Sequence, residues 1–139
     1  MPFRLVANPR YGETLIESLS HRGFLRAKNE IISWHGYEPT SLRELFALAE
    51  GAGVQCIRLK DEAERFGLGS FKALGGAYAV AEVLSAELVR RGAALEVRSV
   101  ELAGGEYSHA TGSIVVTCAT DGNHGRAVAW VRSVSTAAV

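Results

Sequence analysis

Two short stretches of the chain contain residue types that can carry out chemistry, and the first of them surrounds Lys72. In RFGLGSFKALGG this lysine follows a glycine-rich loop and precedes an apolar, helix-forming run. A lysine amine forms Schiff bases with carbonyl compounds when the neutral amine is favoured, as it is by partial burial and by a helix N-terminus. Taken alone, the same pattern also fits a surface lysine whose stem packs over apolar neighbours.

The stretch ATDGNHG, about fifty residues later, is the second candidate. Its glycine, Gly122, permits tight backbone geometry, and the side-chain amide of Asn123 can donate a hydrogen bond to an oxyanion or a phenolate. Asp121 can accept a proton. Because Asp, Gly and Asn are also ordinary turn residues, this stretch by itself predicts only a turn.

The segments that must position these residues predict an α/β protein. YEPTSLRELFALAEGAG predicts a helix with Thr40 or Ser41 as its N-cap. The helix ends at Gly51 and Gly53. Its apolar face holds Leu42, Leu45, Phe46 and Ala49. VQCIRLKDE, which follows, favours an extended strand.

A second helix, from about Ser70 to Arg91, carries Lys72 near its start. AALEVRSVELAGGEYSHATG predicts a short strand and a loop, and SIVVTCAT predicts a strand by its β-branched content. DGNHG then predicts a turn, and RAVAWVRSV another helix. Alternating strands and helices indicate a parallel sheet, whose two buried faces need more strands than these. We therefore expect the chain to be the first part of a longer catalytic unit.

Composition excludes several classes of function. The 139 residues suffice for one domain, and a hydrophobic fraction of 47% with 22% charged residues is typical of a globular protein. Fifteen basic side chains balance fifteen acidic ones, so we expect no nucleic-acid partner and no anionic membrane surface. No apolar run is long enough for a bilayer span or a signal-peptide core.

The cysteines and histidines also bear on the setting. Cys56 and Cys118 stand singly in apolar runs, which predicts two buried, reduced thiols and a cytoplasmic location. Disulfide pairing or catalysis by either thiol is the weaker alternative. The four histidines have no metal-ligand spacing, so we predict no metal site.

Considered together, the two stretches resemble an enzyme family. KDEAERFGLGSFKALGGAYA, followed in order by ATDGNHGRAVAW, is similar to the diaminopropionate ammonia-lyases, which belong with the serine and threonine dehydratases to the fold-type II pyridoxal-phosphate enzymes. YEPTSL resembles the family's Tyr-x-Pro-Thr-Pro-Leu segment, with Ser41 where the family usually has proline. The resemblance covers about residues 36–132, with an uncertain match over 93–113.

This resemblance implies a fold and a site. The implied fold is α/β, the parallel-sheet, three-layer fold of that group, incomplete because only its N-terminal portion is present. Residues 1–35 would form an N-terminal extension, and residues 36–139 the start of the cofactor-binding region. Lys72 would form the Schiff base with pyridoxal 5'-phosphate, Asn123 would hydrogen-bond the cofactor's 3′ oxygen, and Asp121 would be the candidate base toward the Cα proton of one enantiomer.

The implied reaction is the elimination of ammonia from D- or L-2,3-diaminopropionate, giving pyruvate and a second ammonia. The implied assembly is a homodimer of the full-length protein. Because the phosphate-binding loop of the family would follow the end of this sequence, we expect the chain on its own to be inactive or nearly so. Two alternatives stay open at this point: a serine or threonine dehydratase, and a non-catalytic remnant that acts as a binding or structural module.

Overall fold

The computed structural model describes residue 9, residues 20–120 and residues 122–135. Six α-helices, two strands and one 3₁₀ turn occur in these ranges. In chain order they are α1 (His21–Ile32), β1 (Leu42–Glu44), α2 (Phe46–Ala52), β2 (Arg58–Lys60), the 3₁₀ turn (Arg65–Gly67), α3 (Lys72–Arg90), α4 (Ser99–Ala103), α5 (Ser108–Thr111) and α6 (Asn123–Ser135).

Helix α3 supplies more than half of the buried apolar side chains among the described residues. Its range confirms the helix predicted from about residue 70 to 91. The apolar stripe arises because residues three and four apart share one face of a helix. Leu88, which has no exposed surface, stabilises the fold by roughly 1.5–3 kcal/mol through burial alone. The buried positions of α3 are Ala73, Gly76, Ala77, Val80, Ala81, Leu84 and Leu88.

Helix α6 packs against α3. Near the start of both helices, Gly76 faces His124 and Ala127. Val131 of α6 belongs to the same core cluster as five residues of α3. Because Gly76, His124 and Ala127 all lie in the first two turns of their helices, the N-terminal parts of α3 and α6 lie close together. This confirms the final predicted helix and places its start next to the start of α3.

The strands β1 and β2 form an antiparallel pair, and this corrects two predictions. Leu42 pairs with Lys60 and Glu44 with Arg58, so residues predicted as the first turn of a helix are in a strand. Helix α2 therefore begins at Phe46, with Leu45 rather than Thr40 or Ser41 at its N-cap. The backbone groups of residues 42–44 form ladder hydrogen bonds with β2 and are therefore not available for helical hydrogen bonds, although the local sequence pattern is helical.

The pairing also bears on the predicted fold class. Among the described residues the sheet has two antiparallel strands, and the parallel three-layer arrangement is not seen in them. SIVVTCAT, residues 113–120, was predicted as a strand, and none of these residues is in a strand or a helix. β-Branched residues favour a strand only where a neighbouring strand completes the ladder, and no described residue pairs with this segment.

The segment between α3 and residue 114 is helical, although its valines and Leu102 predicted a short strand. Helix α4 begins at Ser99, because the Glu101 carboxylate accepts the Arg98 backbone N–H at 3.0 Å and so caps the first turn. Leu102, on the inner face of α4, is buried in the core. A capping interaction and a single buried leucine outweighed the β-propensity of the valines.

Both cysteines are exposed, so the prediction of two buried thiols is wrong. Cys118 belongs to the unpaired segment 114–120, and Cys56 lies just before β2. An apolar run buries a thiol only when other elements cover it, and none of the described elements covers these two. Across the parts of the chain that the structure describes, no helix has the length and apolar character needed to cross a bilayer.

The packing of α3 on α6 predicts opposite effects at two adjacent glycines. A Cβ added at Gly76 would lie 3.2 Å from the Ala127 Cβ, whereas one added at Gly75 would meet nothing within 4 Å. We expect Gly76→Val to lower the free energy of unfolding by about 1–3 kcal/mol through overpacking. Gly75→Val, the matched control, should change it by less than about 0.5 kcal/mol. Urea unfolding followed by circular dichroism measures both, and equal effects would contradict the close helix contact.

Candidate functional site

Lys72 is the first residue of α3 and is half-buried. Its backbone N–H donates to the Ser70 hydroxyl oxygen at 3.0 Å, which satisfies one of the N–H groups that a helix start leaves without a partner. The serine and the loop before it therefore set where the helix begins. The lysine stem leaves the helix at the end that carries the positive pole of the helix dipole.

Asn123 is the first residue of α6 and is exposed. Gly122, just before it, has a φ of 58°, a left-handed conformation that a glycine adopts without steric cost. The turn that the sequence predicted therefore lies directly before this helix and sets where it begins. Asp121 lies outside the described residues, so its role as a base stays a prediction.

The structure brings Lys72 and Asn123 to the same end of the same helix pair. Gly76 lies one turn after Lys72 on α3 and faces His124, the neighbour of Asn123, with the imidazole Nδ1 3.5 Å from the position of an added Cβ. An amine and an amide donor thus stand at two adjacent helix N-termini, whose dipoles and free N–H groups favour an electron-rich ligand oxygen. This donor set fits a cofactor that offers an aldehyde to an amine and a ring oxygen to a hydrogen-bond donor.

The loop before Lys72 is held by a buried arginine. Arg65 is only 5% exposed, and its Nε and Nη2 donate to the two carboxylate oxygens of Glu62 at 2.7 and 3.0 Å. Its remaining donors reach the Glu38 carbonyl oxygen at 2.7 Å and the Thr40 hydroxyl at 3.1 Å. The guanidinium also lies 5.2 Å from the ring centroid of Tyr37. This network ties the loop that precedes α3 to the segment that precedes β1.

The next residue, Phe66, connects the same loop to α6. Its ring stacks on Trp130 with centroids 4.8 Å apart and an interplanar angle of 29°. Trp34 completes the cluster, 6.0 Å from the Phe66 ring, and its indole N–H donates to the Ser99 hydroxyl at 2.7 Å. Phe66 has a φ of 51°, a left-handed conformation that costs a non-glycine residue about 1–2 kcal/mol.

Sequence reasoning missed both Arg65 and Phe66. It treated AERFGLG as a loop, because a single arginine beside a single aromatic residue has no diagnostic spacing. The partners of the arginine at Glu38 and Thr40 are more than twenty residues away along the chain. A contact of that kind leaves no periodic signal in the sequence.

Comparison with known proteins assigns the chain to a family. Residues 34–134, most of the chain, match the model of the pyridoxal-phosphate dependent enzymes. The chain belongs to this family. This family membership agrees with pyridoxal phosphate, the cofactor that the resemblance of the two stretches implied.

Among its relatives in that family are two diaminopropionate ammonia-lyases, which confirms the resemblance noted from the sequence. The protein from Escherichia coli K12 is 44% identical over 95 residues, which are 68% of this chain and 22% of that protein. The one from Salmonella typhimurium is 38% identical over 109 residues, covering 73% of this chain and 26% of the relative. This pyridoxal-phosphate family member therefore spans about a quarter of the length of the curated relatives it matches.

A solved structure shows the same likeness in three dimensions. The crystal structure of selenomethionine-containing holo diaminopropionate ammonia lyase from Escherichia coli matches with a TM-score of 0.64 at 35% identity. The match covers 89% of this chain and 30% of that one. The described elements thus have the arrangement found in part of a holoenzyme of the pyridoxal-phosphate type.

The Arg65–Glu62 pair predicts how stability depends on pH. The hydrogen bond from Arg65 lowers the pKa of Glu62 to about 2, from 4.5 for a free glutamate. A carboxyl with a lower pKa in the folded state adds stability above its unfolded pKa and loses it as the pH falls through its folded pKa. We expect the free energy of unfolding to fall between about pH 4.5 and 2, and to fall less steeply for Glu62→Gln. Urea titrations at a series of pH values measure this slope.

A second carboxylate provides the control for this experiment. Arg90 and Arg91 also hold the pKa of Glu87 at about 2, but the Arg90 side chain is 72% exposed. Because salt screens exposed pairs more than buried ones, the effect of Glu87→Gln should vanish at high salt while that of Glu62→Gln persists. Equal sensitivity to salt would show that the Arg65–Glu62 pair is not buried in solution.

Proposed function

We propose that the whole protein of which these residues form the site catalyses the α,β-elimination of ammonia from 2,3-diaminopropionate with pyridoxal 5'-phosphate. The net reaction consumes one water and releases pyruvate and two molecules of ammonia. One observation carries the proposal: Lys72 and Asn123 stand at adjacent helix N-termini, in a chain whose residues 34–134 match the pyridoxal-phosphate dependent enzymes and which is similar to diaminopropionate ammonia-lyases.

Each residue has a defined task in this proposal. Lys72 would hold the cofactor through its amine, and the Asn123 amide would donate a hydrogen bond to the cofactor's ring oxygen. When bound, pyridoxal phosphate supplies an electron sink for the negative charge that develops at the substrate's Cα. Asp121 would accept the Cα proton, and the Lys72 side chain, in its protonated ammonium form, would give a proton to the departing β-amino group.

The fold of the complete catalytic unit belongs to the same proposal. Residues 113–120 are rich in β-branched side chains and lead through the turn at Gly122 into α6, as a strand of a parallel sheet leads into its crossover helix. We therefore propose that residues 114–120 form a strand of a parallel, three-layer sheet in the complete unit. For the full-length protein we also propose a cytoplasmic homodimer, as the family resemblance implies.

A chimera tests the activity with a full-length catalytic unit. Residues 34–134 of this chain replace the aligned segment of the Escherichia coli diaminopropionate ammonia-lyase, and pyruvate release is measured with diaminopropionate, serine and threonine. We expect pyruvate from diaminopropionate above the other two substrates. Preference for serine, or 2-oxobutyrate from threonine, would instead identify a dehydratase. The 139-residue chain by itself should release no pyruvate.

Substitutions in this chimera should separate the roles of the two site residues. Lys72→Ala should lower the rate of pyruvate release at least about a thousandfold, because both cofactor attachment and a proton-transfer group are lost. Asn123→Ala should lower it roughly 10- to 100-fold, the effect of one hydrogen bond to a charged acceptor. Gln55→Ala removes an exposed amide elsewhere and should keep the activity. An active Lys72→Ala chimera would refute the assignment.

A further inference from the structure

The loop of residues 62–71 leads directly into Lys72, and three of its side chains reach outside the loop. Arg65 bonds to the Glu38 carbonyl and the Thr40 hydroxyl, both in the segment before β1, and Glu62 accepts a hydrogen bond from the same hydroxyl. Phe66 stacks on Trp130 of α6. The loop is therefore tied to two separate parts of the chain, the segment before β1 and α6.

The contact at Trp130 lies on a particular face of α6. Asn123, Ala127 and Trp130 are spaced by four and three residues, so they share one face of the helix. Ala127, in the middle of this face, is the residue that meets Gly76 of α3. By stacking on Trp130, Phe66 therefore holds the loop against the same face of α6 that begins with Asn123.

The backbone conformation of the loop indicates that the contacts of Arg65 and Phe66 are needed to hold the loop in place. Gly67 and Gly69 both have positive φ, so the backbone on the Lys72 side of Phe66 has few steric limits of its own. Phe66 is also in the left-handed region, where a residue with a side chain persists only if its surroundings hold it there. The stack on Trp130 and the anchored arginine beside it are the contacts that do so.

We propose that Arg65 and Phe66 are positioning residues that hold the Lys72 amine in register with Asn123, Arg65 by fixing the loop to residues 38–40 and Phe66 by stacking on Trp130. The consequence for cofactor capture rests on the proposed function, whereas the position of the amine does not. Neither side chain needs to touch the cofactor, since each acts through the backbone that starts α3. We expect the wild-type chain to attach the cofactor at Lys72 in preference to its other lysines.

Five variants of the 139-residue chain test this inference. Arg65→Lys keeps the charge but loses the planar fork that bonds to three partners, and Arg65→Met removes the charge as well. Phe66→Leu removes the stacking ring, while Phe66→Tyr keeps it and serves as the conservative rescue. Arg58→Met, the matched control, breaks an exposed pair with Glu44. Circular dichroism gives the folded fraction of each variant, and if Arg65→Met does not fold, Arg65→Lys carries the test.

The chain has three lysines, and the exposed Lys28 is the internal standard for Lys72, since the Lys60 amine donates to the Thr40 carbonyl beside the Arg65 network. One readout is the amount of pyridoxal phosphate fixed on each lysine by borohydride, measured by peptide mass. The other needs no cofactor: trace acetylation with acetic anhydride gives the reactivity of Lys72 relative to Lys28. We expect Arg65→Lys and Phe66→Leu to lower the cofactor selectivity for Lys72 on the order of tenfold or more. Both should also change the acetylation ratio, and Phe66→Tyr and Arg58→Met should leave both readouts at wild-type values.

The two readouts separate the inference from the proposed function. An acetylation ratio that is the same in all variants, after correction for folded fraction, overturns the positioning role. Selective cofactor capture at Lys72 that survives Arg65→Lys and Phe66→Leu also overturns it, and leaves the proposed function standing. If the wild-type chain captures no cofactor on Lys72 while the acetylation ratio changes as expected, the positioning role stands, and the borohydride readout is repeated in the chimera, where absence of cofactor on Lys72 would overturn the proposed function.

Discussion

The close approach of α3 and α6 at Gly76 is the contact on which the rest of the site depends. Only a residue without a side chain lets Ala127 and His124 come so near to the α3 backbone. Because Gly76, His124 and Ala127 all lie in the first two turns of their helices, this contact also brings the N-terminal parts of α3 and α6 close together. A lysine and an asparagine from distant parts of the chain then become neighbours, and both stand where the helix dipoles favour electron-rich ligand atoms.

The loop before α3 gives that arrangement its precision. A buried guanidinium is costly unless its donors are satisfied, and Arg65 meets this demand with a carboxylate, a carbonyl and a hydroxyl. Satisfying those donors ties the loop that contains Arg65 and Glu62 to the segment of residues 38–40. Because an unsatisfied buried guanidinium costs free energy, the need to satisfy its donors also fixes the conformation of the loop. Phe66 extends the constraint to α6 through a strained backbone and a stacked ring.

Family membership and geometry support each other in different ways. The match to pyridoxal-phosphate dependent enzymes covers residues 34–134, the range that contains both helix starts and the arginine network. The similarity to diaminopropionate ammonia-lyases covers about a quarter of those proteins. The described residues show how this chain places an amine and an amide donor at the starts of α3 and α6.

Particular residues show how far sequence reasoning reaches. The apolar period of residues 72–90 predicted α3, and the glycine before Asn123 predicted the turn that starts α6, because both depend on near neighbours. Residues 42–44 also had a helical pattern, yet they pair with residues 58–60. The two cysteines have apolar neighbours in the sequence but no covering element in space.

The sequence by itself determined the chemical groups of the site and the helices that carry them, since side-chain identity and helical periodicity are local properties. Only the tertiary structure decided that Leu42–Glu44 is a strand, that Arg65 is buried, and that Phe66 joins the Lys72 loop to α6. Ladder pairing, satisfaction of a buried guanidinium and ring stacking each require partners far away along the chain. These three interactions stabilise the protein only when the distant segments have come together in the folded chain.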